Sequence, residues 1–157
     1  MPKSNYDPIK LYIASRFQDR EDALALKERL QARGALVTST WLTPLDGNNA
    51  NMATLNGRYQ ECRARATCDL DDIVGSDAVV VMSPLKAHKS GTGGRHVELG
   101  FAVGVGKPVF LLGSRENVFH YLPHIQLLLS EYILQALVIR INLTTISHKI
   151  MPPCFQG

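Results

Sequence analysis

Apolar positions along this chain come in short continuous runs, separated by segments whose apolar residues recur at helical spacing. Lys10 to Ser15 (Lys-Leu-Tyr-Ile-Ala-Ser) reads as a buried strand ending in small polar residues. Ala23, Leu26 and Leu30 then recur every three or four positions, which predicts a helix. Asp19 is placed to cap it, Asp22 lies near its positive end, and Gly34 is placed to stop it. Ala35 to Thr40 is rich in β-formers and predicts a second strand, so a right-handed β-α-β unit opens the chain.

Tyr59, Cys62, Ala66, Leu70 and Ile73 mark one face of a second helix. Asp77 to Ser83 is nearly all apolar, as a parallel strand buried on both faces requires. A helix from about Arg95 to Val105 and a fourth strand from Lys107 to Gly113 follow. Beyond Gln126 the pattern weakens. Leu127, Leu134, Leu137, Val138 and Ile141 fit a helical face loosely, and Val138 to Leu143 reads equally well as a fifth strand. The alternation predicts a single doubly wound α/β domain, Rossmann- or flavodoxin-like, with a four- to five-stranded parallel sheet. Residues 10–143 form that domain in this reading, 1–9 an N-terminal extension and 144–157 a tail.

Ligands in such folds bind beyond the carboxyl ends of the strands. Four segments should meet there: Ser15-Arg16, the loop after Trp41, Pro84 to Gly94, and Ser114 to His120. The turn-rich stretch Thr43 to Gly57 has the length of a functional lid or of a disordered loop. Composition narrows the function classes. The 157 residues are 45% hydrophobic and 20% charged with a net charge of +3, ordinary for one soluble domain. Basic residues are scattered without aromatic interleaving, so no nucleic-acid groove is expected. Cys62, Cys68 and Cys154 have no metal-ligand spacing, nor do His88, His120 and His124, so no metal is expected and the thiols should be reduced. The opening residues lack a signal-peptide core, and the apolar stretch Leu127 to Leu143 is broken by polar side chains. The expectation is a cytoplasmic protein with no membrane partner.

Candidate chemistry centres on Gly91-Thr-Gly-Gly-Arg-His-Val-Glu-Leu-Gly100. Gly91, Gly93 and Gly94 form a turn able to offer backbone N–H groups to an anionic or hydroxylated ligand. Glu98 is expected in the first turn of the helix that follows, standing over whatever the turn holds. Each candidate also has a plain structural role to compete with. Glu98 could simply complement a helix N-terminus, and Asp69, beside Asp71 and Asp72, could be a solvated surface charge. Arg16 could form a surface salt bridge, Trp41 could pack in the core, and Asp77 reads as a strand-edge or capping residue. Arg95 and His96 flank Glu98 and are expected to point away from it, toward the surface or an interface. No Gly-x-Gly-x-x-Gly follows the first strand, so a dinucleotide is not expected.

Three segments together carry a family resemblance: Leu-Tyr-Ile-Ala-Ser-Arg-Phe, Asp69-Leu-Asp-Asp-Ile-Val-Gly-Ser-Asp77, and Gly-Gly-Arg-His-Val-Glu-Leu-Gly-Phe-Ala. With them, Lys10 to His124 resembles the nucleoside 2-deoxyribosyltransferase superfamily, including its nucleoside 5′-monophosphate N-glycosidase branch. The closing Glu-Asn-Val-Phe-His-Tyr-Leu-Pro looks like that of phage and actinobacterial members. The resemblance implies that Glu98 attacks the anomeric carbon of a sugar and forms a covalent glycosyl-enzyme, as in a retaining glycosidase. It implies that Asp69 handles protons and orients the sugar or Glu98, with a raised pKa on one of the two if they lie close together. Nucleoside transferases carry a carboxylate six residues before the nucleophile, where this chain has Thr92. A hydroxyl there, with the glycines and with Ser15 and Arg16 at the first strand's end, favours a 5′-phosphate and hydrolysis. Trp41 is a candidate to stack on the base. Asn117, Phe119 and His120 fall in the segment that such proteins lend to a neighbouring subunit, which implies a homodimer or higher homo-oligomer. No cofactor is implied. Base exchange on 2′-deoxynucleosides is the nearest alternative, and a non-catalytic nucleotide sensor is the alternative of another class.

Overall fold

The computed structural model of the chain describes residues 7–43, 59–83, 93–130, 132–136 and 138. Five strands make one parallel sheet: β1 (Lys10–Ala14), β2 (Leu36–Val37), β3 (Ala78–Ser83), β4 (Val109–Gly113) and β5 (Ile125–Leu128), in the order β2-β1-β3-β4-β5. Three helices join them: α1 (Arg20–Gln31), α2 (Tyr59–Gly75) and α3 (Gly94–Gly104). The order reverses between β1 and β3, so the switch point lies where Ser15 and Ser83 leave the sheet. The doubly wound α/β expectation is met.

The two faces of β1 divide the core. Leu11 and Ile13 pack with Ala23, Leu26 and Leu30 of α1, whereas Tyr12 and Ala14 pack with Ile73 of α2 and with Leu99 and Ala102 of α3. This is the period-2 alternation of a strand read by helices on both sides. Leu26 and Leu30 are fully buried, and each contributes roughly 1.5–3 kcal/mol of burial. The C-terminus of α2 is closed by Lys107, whose ammonium donates to the carbonyls of Val74 and Ser76.

Several boundaries differ from the sequence expectation, each for a physical reason. The second strand is two residues long rather than six because side chains take over from the ladder. Ser39 Oγ accepts from Ile13 N at 2.6 Å, Trp41 Nε1 donates to Ile13 O at 2.8 Å, and Thr40 turns away to bond Asp72. Asp19 sits at the cap of α1 without capping it by its side chain, since Arg16 holds both carboxylate oxygens at 2.6 and 2.7 Å. On the predicted face of α2, only Ile73 is buried; Tyr59 and Ala66 are exposed. The fifth strand is Ile125–Leu128, upstream of the stretch expected to form it. Residues 132–136 and 138 are helical, with Leu134 and Val138 buried beside Leu128, so Val138 does not begin a strand. Asp77 has the edge role expected of it, its carboxylate accepting from Lys10 N at 2.7 Å. Residues 139–143, most of the stretch 43–57 and the segment 84–92 lie outside the described residues.

Candidate active site

Gly93, in the left-handed region at φ 78°, turns the chain into α3 one residue earlier than expected. Glu98 is therefore the fifth residue of the helix and belongs to its second turn, not its first. Arg95, Leu99 and Ala102 form the buried stripe of α3, and Glu98 lies three residues after Arg95 and four before Ala102. The helix register thus carries Glu98 toward the sheet. Its Oε1 accepts a 2.9 Å hydrogen bond from the phenol of Tyr12, which rises from the same face of β1. Its Oε2 is buried and has no hydrogen-bond partner among the described residues.

Burial pushes the Glu98 carboxyl up to about 7; the Tyr12 hydrogen bond works against this shift and the charge of Asp69 adds to it. Asp69, on α2, is raised to about 6, first by burial and then by Asp72, with Arg65 opposing. Both carboxyls of the expected pair are raised, and each is poised to exchange a proton near neutrality. The Tyr12 phenol is shifted upward by burial and then by the charges of Glu98 and Asp69, so it stays protonated and donates.

The other sequence candidates fall in different places. Ser15 is buried at the end of β1, with no partner for Oγ among the described residues. Arg16 is beside it but engaged side-on by Asp19, the salt-bridge role weighed for it. Gly93 and Gly94 open α3, whereas Gly91 and Thr92 lie outside the described residues. Trp41 is half-buried against both core clusters, its indole N–H spent on β1. Asn117 meets its own chain: Oδ1 accepts from Phe119 N at 2.9 Å, and Nδ2 lies 3.3 Å from His96 Nδ1. Fixing the amide in this way makes Nδ2 the donor, so His96 accepts at Nδ1.

Arg95 does not point away as expected, because a three-residue spacing keeps it on the face of Glu98, whereas His96, two residues before Glu98, turns to Asn117 and His120. Arg95 is buried and donates from Nη2 to Glu116 Oε2, beyond β4. His96 is half-buried 5.6 Å from the ring of His120, which is wholly buried and accepts from Glu116 N at Nδ1. Burial holds both imidazoles below their ordinary range; Arg95 adds to this at His96, and His96 at His120. Burial acts to raise the Glu116 carboxyl, but Ser83, Arg95 and His96 outweigh it and hold the group low.

Tyr12 and Glu116 were not singled out from sequence. Tyr12 left a signal, a side chain with a polar tip inside an otherwise aliphatic strand. Glu116 left none, since its partner comes from another element.

No family model matches the chain, and no curated protein matches it in sequence. Among solved structures it is similar to the CMP N-glycosidase BcmB of Clostridium botulinum, at 15% identity over 85% of this chain and 98% of that one, with a TM-score of 0.49.

Proposed function

We propose that this chain hydrolyses the N-glycosidic bond of nucleoside 5′-monophosphates, with Glu98 as nucleophile. The observation that carries the reading is the state of that carboxylate: one oxygen held by Tyr12, the other buried with no partner among the described residues. Ionised Oε2 attacks C1′ of the sugar; the bond from C1′ to the base nitrogen breaks, and the base leaves with the electron pair. Asp69, which keeps a proton up to about pH 6, supplies one to the departing base. Water then attacks C1′, the ester to Glu98 breaks, and the water's proton returns to Asp69. Free base and a sugar 5-phosphate are released.

The phosphate preference is supported by Ser15, whose buried hydroxyl has no partner among the described residues, and by Thr92 where a nucleoside transferase has a carboxylate. Trp41, Gly91, Gly93 and Gly94 complete the binding side in this reading. Asn117 and the exposed Val118, Phe119 and Tyr121 beside it form an apolar edge suited to a second copy of the chain.

A chromatographic screen tests this: nucleoside 5′-monophosphates alone, and 2′-deoxynucleosides with a second free base. Base released from the monophosphates without an acceptor is the expected result. Exchange of bases on free deoxynucleosides, with the monophosphates untouched, would make the protein a transferase. Ligand-induced thermal stabilisation without base release from any substrate would make it a sensor.

A further inference from the structure

Arg16 and Arg95, both at the ligand end of the sheet, are not equivalent. Arg16 presents Nε and Nη2 to both oxygens of Asp19, so its bidentate edge is filled. Arg95 presents the same edge to Glu116, but only Nη2 is used, and Nε is buried with no partner among the described residues. Arg95 is 7% exposed, so an unused guanidinium N–H there costs free energy that a ligand would recover.

Its surroundings suit an oxyanion. Arg95 is the second residue of α3, where the N–H groups of His96 and Val97 bond to Gly93 O, those of Gly94 and Arg95 have no carbonyl within the helix, and the cap, Gly93, has no side chain to offer. Ser15 follows Ala14, which pairs with Val81 of β3, so its unpartnered hydroxyl leaves the sheet next to Met82 and Ser83. Ser83 helps to hold the Glu116 charge while falling short of a full hydrogen bond to it. The Glu116 charge also acts on Arg16. The guanidinium groups of Arg16 and Arg95 each already face a carboxylate, Asp19 and Glu116 respectively. A dianion therefore gains most by taking the place of a carboxylate.

We propose that Arg95 is the guanidinium that binds the phosphate of the substrate, with Ser15 and the start of α3, and that Glu116 occupies it when the site is empty. The ligand class is a phosphomonoester dianion, bound side-on through Nε and Nη2. This builds on the monophosphate reading above and assigns its specificity to a residue other than Arg16. Phosphate arriving at Arg95 releases Glu116, and with it the segment that carries Asn117.

Titration of the full chain with inorganic phosphate and with ribose 5-phosphate, at matched ionic strength, tests this by calorimetry and thermal shift. Wild type should bind both and gain thermal stability beyond that given by chloride. Arg95→Gln and Arg95→Lys should each weaken binding at least about tenfold, as expected for loss of a bidentate charge-assisted pair. Glu116→Gln should bind several-fold more tightly, since the competing charge is gone. With a monophosphate substrate, Arg95→Lys should raise KM more than it lowers kcat. Folded Arg95 variants that bind phosphate as wild type does would overturn the proposal, as would weaker binding by Glu116→Gln. If the Arg95 variants do not fold, the Glu116→Gln titration decides alone. Phosphate binding that follows this pattern without any base release would leave Arg95 assigned and remove the glycosidase reading. Monophosphate cleavage with a KM indifferent to Arg95 would do the reverse.

Discussion

The working state of Glu98 is set by burial and two neighbours, acting in opposite directions. Burial and Asp69 favour its neutral form, and Tyr12 favours the carboxylate. The reactive form needs Glu98 ionised and Asp69 protonated, so with these groups at about 7 and about 6 activity should be bell-shaped, with its optimum between those two values. Tyr12→Phe should move the alkaline limb to higher pH and lower neutral-pH kcat/KM by about tenfold, the loss of one hydrogen bond to a charged group. Asp69→Asn should abolish the alkaline fall and leave a single rise with pH below about 7, while cutting kcat by about 10²-fold through loss of the proton donor. A pH–rate profile of each variant checks both signs; limbs moving the other way would contradict the assigned coupling. Stability follows from the same shift. Glu98 titrates at about 7 when folded against an ordinary 4.5, so the folded chain binds the proton more tightly between those values. Its stability contribution is present at low pH and is lost as pH rises through that window. Glu98→Gln should therefore gain on wild type by on the order of 2 kcal/mol at pH 8, and the gain should shrink toward pH 5 in denaturant titrations.

Elements reach the site through a few contacts that tolerate little change. Gly113 ends β4 at φ 115°, and a Cβ there would stand 1.8 Å from the carbonyl oxygen of Ser83 on β3. Gly113→Ala should thus cost on the order of 3 kcal/mol, measurable by urea denaturation, and disturb the Ser83–Glu116 side of the site. Ser39→Ala should cost about 1–3 kcal/mol by leaving Ile13 N buried without an acceptor. Both positions mark where sequence reading stops. Strands β1 and β3 and the Ala23-Leu26-Leu30 stripe of α1 were legible because burial writes itself as period 2 or 3.6. The truncation of β2 was not, since Ser39 and Trp41 look like ordinary strand residues until β1 lies alongside. Glu98 and Ser15 were readable from local motifs. The bond from Arg95 to Glu116 spans 21 residues and two elements, and no local pattern encodes it.

For the molecule as a whole, the parallel order β2-β1-β3-β4-β5 gathers β1, β3, β4 and the start of α3 at one end. Distant residues thereby become one chemical unit. The same end carries the exposed Val118, Phe119 and Tyr121, so assembly and catalysis should be linked there. Phe119→Asp should lower the oligomeric state in light scattering and reduce turnover together; loss of one without the other would separate the two. The central claim remains the carbon–oxygen bond between Glu98 and the sugar. Rapid acid quench of turnover on a nucleoside 5′-monophosphate, followed by peptide mass spectrometry, measures it directly. The account predicts a sugar-phosphate adduct on the peptide containing Glu98, and its disappearance, together with base release, in folded Glu98→Gln. Base release that continues within tenfold of wild type in that variant, or an adduct on another residue, would contradict it.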